Sequence, residues 1–108
     1  MVTPSVELIT KIQQFRESLE KSGIRQQQIL LYGSQRYGTA TEGSDIDLII
    51  ISPDWGPLGR RERLELLGAV AARLLLPIQA QGWTPREITA GEISLFWQEI
   101  LQKEAIPV

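Results

Sequence analysis

Leu8, Ile12, Phe15 and Leu19 recur three to four residues apart, which predicts an amphipathic helix over residues 5–22 closed by Gly23. The pattern then changes. Gln28-Ile29-Leu30-Leu31-Tyr32 is a short apolar run bounded by polar residues, the mark of a buried strand, and Leu48-Ile49-Ile50-Ile51 is a second one, broken by the turn-forming Ser52-Pro53-Asp54. Leu64, Leu67, Ala71 and Leu74 return to helical spacing and predict a connecting helix ended before Pro77. Thr84-Pro85-Arg86-Glu87 has capping-box spacing with Pro at the first helical position. Thr89-Ala90-Gly91-Glu92 repeats that spacing ahead of Ile93, Phe96, Trp97, Ile100 and Leu101, a stripe expected to pack on the sheet. Trp83 and Trp97 read as core or interface residues, because no basic residues interleave with them as they would on a base-stacking platform.

These elements predict an α/β layer fold: one domain spanning residues 1–108, with helices flanking a small mixed sheet of at least three strands. The first two strands should run antiparallel. The third, after a helical crossover, should run parallel to the second.

Composition narrows the chemistry. With 43% hydrophobic and 22% charged residues the chain has the balance of a soluble globular domain. No apolar run is long enough to cross a membrane, and no signal-peptide pattern stands at the start. The absence of cysteine excludes disulfides and thiolate sites and fits a cytoplasmic protein; the absence of histidine removes the commonest general base. Oxygen ligands remain, which suits magnesium or manganese rather than zinc. The net charge of −2, without a basic stripe, argues against nucleic acid as a partner. Arg60-Arg61-Glu62-Arg63 is a local basic cluster at a helix start, read first as a solvated face. Nothing in the sequence opposes a homo-oligomer.

The most informative stretch joins the first two strands: Gly33-Ser34, ten residues, then Asp45-Ile46-Asp47. A helix opening at Ser34 would turn free backbone N–H groups toward the loop, with Gly33 allowing close approach, Gly38 ending the short helix and Arg36 as a charge partner for phosphate. Alternation along a strand points Asp45 and Asp47 the same way, a repulsive arrangement unless a cation neutralises it. Mg²⁺ fits, because it takes few protein ligands and completes its shell with water and phosphate oxygens. Either half alone is ordinary turn chemistry. Their order and spacing between two apolar strands make a joint phosphate and metal site the stronger reading.

The stretch Leu31-Tyr32-Gly33-Ser34 through Asp45-Ile46-Asp47-Leu48 resembles the signature of the polymerase-beta-like nucleotidyltransferase superfamily, and the small size resembles its minimal branch. Arg60 to Leu76 fits the family's connecting helix, Pro77 to Ile88 its next strand and Thr-Pro turn, and Ile93 to Ala105 its closing helix. The resemblance implies a palm-like fold and transfer of a nucleoside monophosphate, AMP from ATP, to a hydroxyl. Gly33, Ser34 and Arg36 would bind the nucleotide's phosphates; Asp45 and Asp47 would be the catalytic residues and ligands of Mg²⁺ or Mn²⁺. It also implies a protein partner, since small stand-alone members pair with helical HEPN toxins and act as their antitoxins.

One position departs from the family. Its third acidic residue falls, counting back from Thr84, on Gln79, which cannot accept a proton near neutral pH. Asp54 cannot replace it, lying roughly 23 Å beyond Asp47 along an extended strand. Glu42 belongs to the turn before the second strand, and Glu87 follows the far end of its own. Losing a positioned general base typically costs on the order of 10²–10⁴ in rate. A weakened or inactive transferase that restrains its partner by occlusion is therefore the alternative.

Overall fold

The computed structural model describes residues 5–25, 27–37 and 45–108. The first helix, α1, is Val6–Lys21, capped by Ser5, whose hydroxyl accepts the Leu8 N–H at 3.1 Å. Its stripe of Leu8, Ile12, Phe15 and Leu19 is buried as the periodicity predicts. Strand β1 is Gln28–Tyr32, the single-turn helix α2 is Ser34–Tyr37, and β2 is Ile46–Ile51. A 3₁₀ turn, Pro53–Trp55, leads to α3, Arg60–Arg73, and β3, Ile78–Trp83. Then come α4, Pro85–Thr89, and α5, Leu95–Glu99, which continues as a π-helical turn over Ile100–Glu104 into β4, Ile106–Pro107.

The sheet order is β3-β2-β1-β4, with β1–β2 antiparallel and β2–β3 parallel, as expected. Alternation divides its apolar residues between two faces. Ile29, Leu31, Ile46, Leu48 and Ile50 join the buried residues of α1 and α3 in the main core. Leu30, Ile49 and Trp83 turn the other way, under Ile93 and Ile100 of the C-terminal segment. Asp47 and Gln79 belong to this second face, where β2 and β3 begin. Among the described residues no helix is long and apolar enough to cross a membrane.

Several expectations need correction. The buried side of α3 is Arg63, Leu67, Val70 and Ala71, while Leu64 is 41% exposed. The cause is Arg63, drawn inward by the carbonyls of Leu58 (2.9 Å) and Gly82 (3.2 Å) and by both carboxylate oxygens of Glu87 (2.7 and 3.1 Å). It is no part of a solvated basic face. The helix stops at Arg73 rather than Leu76, because Leu75 adopts φ 54°. The Thr84 box forms as read, with reciprocal bonds between Thr84 and Glu87. The Thr89 box does not: Gly91 at φ 70° closes α4, and Ser94 caps the next helix instead. Phe96 consequently faces outward, at 62% exposure, rather than packing on the sheet. Strand β4 was not predicted, since two residues show no periodicity. Trp55, fully buried, donates its indole N–H to the Ile50 carbonyl at 3.0 Å, and Gly82 leaves room for it.

Candidate functional site

The antiparallel pairing of β1 with β2 sets Tyr32 opposite Asp47, so Gly33, the next residue, lies over the aspartate. Gly33 has φ 74°, and an added Cβ would overlap the Asp47 carboxylate and come within 3.1 Å of its Cγ. The glycine is thus required twice, by its left-handed backbone and by the side chain beneath it. This joins the two halves of the motif: the Gly-Ser turn rests directly on the second aspartate. Ser34 begins α2, and the Arg36 N–H returns to the Gly33 carbonyl at 3.0 Å, tightening the turn.

The parallel pairing of β2 with β3 sets Gln79 opposite Asp47. The Gln79 amide donates to Asp45 Oδ2 at 3.3 Å. Asp45, Asp47 and Gln79 therefore share one corner of the sheet, at the position anticipated from the count back to Thr84. Asp45 is exposed and Asp47 partly buried. Burial, and then the Asp45 charge, hold the Asp47 carboxyl above its ordinary range. Among the described residues no cluster of three or more acidic, histidine or cysteine side chains occurs.

Such a pair fits a divalent oxygen-seeking cation. Its donors are carboxylates, and a cation would relieve the repulsion and desolvation that raise Asp47. Asp45 and Asp47 are the side chains that could hold one.

Two features of the surroundings escaped the sequence reading. Tyr32 stands half-buried beside Asp47, and burial together with the Asp47 charge pushes its hydroxyl up to about 12, so it stays protonated. Its ring meets Trp97 edge-on, centroids 5.7 Å apart, which ties the C-terminal segment to the site's flank. The only advance signal was its place directly before Gly33. Arg36 donates from Nε to the Glu104 carbonyl at 3.2 Å, anchoring α2 to the π-helical turn. Asp54 is far from this corner and accepts the Arg25 N–H at 2.7 Å. Glu87 is committed to Arg63. The readings placed on Gly38 and Glu42 lie outside the described residues.

A model of the nucleotidyltransferase domain family matches residues 11–106. A candidate nucleotidyltransferase from Sulfolobus solfataricus is similar in structure, with a TM-score of 0.55 at 13% identity, covering 99% of this chain and 89% of that one. A second candidate nucleotidyltransferase matches with a TM-score of 0.47 at 22% identity over 82% of this chain and 89% of its own. At 13% identity the Sulfolobus solfataricus structure shows the fold alone. No curated protein matches the chain.

Proposed function

The chain belongs to the nucleotidyltransferase domain family, and we propose that it transfers a nucleoside monophosphate, AMP from ATP, to a hydroxyl on a protein partner. One observation carries this reading: Gly33 is packed onto Asp47, so the phosphate-facing turn and the carboxylate pair form a single corner. The backbone N–H groups opening α2 would face the phosphate oxygens, with Arg36, steadied by the Glu104 carbonyl, as the nearby positive charge. Asp45 and Asp47 would hold Mg²⁺, which when bound supplies charge neutralisation to the triphosphate and the departing pyrophosphate. In the transfer the acceptor oxygen bonds to the α-phosphorus, the bond from the α-phosphorus to the bridging oxygen breaks and releases pyrophosphate, and the acceptor proton leaves to solvent or to a carboxylate that the partner brings. Tyr32, protonated throughout the working range, serves as a neutral wall beside Asp47 rather than as a base.

With a protein acceptor, the partner brings the nucleophile. The family resemblance points to a HEPN-type toxin with this chain as its antitoxin. The test uses ATP labelled on the α-phosphate, Mg²⁺ and proteins co-purifying with the chain. Label on a partner, lost with Asp45→Ala and with Asp47→Ala, is the expected result. Undiminished labelling by Asp47→Ala would end this reading.

Gln79 favours a second reading. Where a carboxylate would take the acceptor's proton, the structure has an amide already donating to Asp45. The chain would then bind nucleotide weakly or slowly turn it over, and restrain its partner by occlusion. A partner that stays silenced and unlabelled in an intact complex would establish this alternative.

A further inference from the structure

Position 79 lies within hydrogen-bonding distance of Asp45 and opposite Asp47, so its side chain bears directly on the charge that the two aspartates meet. A carboxylate there would make three converging negative charges. The amide leaves two, among the described residues, and turns an N–H toward Asp45, presenting positive rather than negative potential on that side.

Two carboxylates balance one divalent cation. Two-cation sites hold their ions about 3.5–4 Å apart, and dications at that separation repel with four times the energy of unit charges. Without nucleotide phosphates, such a pair depends on further protein carboxylate oxygens between the ions. Here the β3 side of the corner offers the Gln79 amide, and the neighbour on the same face, Gln81, is neutral too.

We propose that Gln79 restricts this site to a single divalent cation, held by Asp45 and Asp47. The inference rests on the metal role given to the two aspartates above. The corner then serves the cation that accompanies the nucleotide and offers no charged ligand for a second one on its β3 side. Gln79 is a specificity-determining residue of the site, fixing how many ions the chain binds through charge rather than shape.

The test is a Mn²⁺ titration of the full chain without nucleotide, with free ion followed by electron paramagnetic resonance. Wild type should bind one ion, lost with Asp47→Asn. Gln79→Glu, close in shape but charged, and Gln79→Asp should each bind a second ion, with the first held about tenfold tighter, since added ligand charge tunes cation affinity. Gln79→Asn, which is neutral, should remain at one. Position 79 is exposed, so these variants should keep wild-type circular dichroism. Two ions in the wild type would overturn the single-cation inference while leaving the aspartates' metal role intact, as would a count of one in both carboxylate variants. No ion in the folded wild type would overturn both together.

Discussion

Replacing Gly33 with alanine separates two effects that are usually confounded. The first is backbone strain: at φ 74° an alanine costs about 1–2 kcal/mol relative to glycine. The second is specific to the site, because the new Cβ would overlap the Asp47 carboxylate, which must leave its position. Forcing that side chain off its rotamer adds about 0.5–1.5 kcal/mol. Gly91 provides the matched control, with φ 70° and nothing within 4 Å of an added Cβ. Gly91→Ala should therefore cost about 1–2 kcal/mol, and Gly33→Ala about 1.5–3.5 kcal/mol. For a domain of this length each kcal/mol corresponds to roughly 4 °C in Tm. Urea unfolding and thermal melts would measure the difference. Mn²⁺ binding should respond only at Gly33, weakening by about 10–100-fold, as when a residue that orients a metal ligand is lost. If Gly33→Ala and Gly91→Ala matched in both stability and cation affinity, the claim that the turn is built around Asp47 would be refuted.

Three further outcomes follow from the same contacts. Arg63→Met should destabilise the fold by about 2–3 kcal/mol in chemical denaturation, since it removes four hydrogen bonds and strands a partly buried Glu87. The Arg63 guanidinium holds the Glu87 carboxyl below its ordinary value of 4.5, so the Glu87 contribution is complete above that pH. It vanishes as pH falls through the lower folded value, and the gap between wild type and Glu87→Gln should close there. Asp47 has the opposite sign: its raised value burdens the metal-free fold as pH rises through it, so Asp47→Asn should raise Tm at neutral pH without metal and lose that advantage in acid. Gly82→Ala should cost about 1–3 kcal/mol in the same unfolding assay, because its Cβ would stand 2.7 Å from the Trp55 ring.

Much of this arrangement was readable from short-range signals. The 3.6-residue stripe of α1, the two apolar strands and the Thr84 box rest on local periodicity and turn chemistry, and tertiary packing did not override them. The corner of Asp45, Asp47 and Gln79 was readable because strand alternation and a helical crossover between parallel strands leave little freedom in how the residues pair. What escaped was decided by contacts distant in sequence. Arg63 sits inside because Glu87 and the Gly82 carbonyl, far along the chain, satisfy its guanidinium, and this rotates the buried side of α3 away from Leu64. Tyr32 gains significance only from Asp47 opposite it and Trp97 against its ring. Pairing of Ile106–Pro107 with β1 depends on where the C-terminal segment is delivered, which no local pattern specifies.

The most direct test of the central claim is transfer of α-labelled AMP from ATP by the purified chain with Mg²⁺ and its co-purifying partner, with wild type, Asp45→Asn and Asp47→Asn in parallel. Label should appear on the partner with wild type and fall to background with either asparagine variant. Equal labelling by all three would contradict the assignment of the aspartate pair as the working centre of this protein.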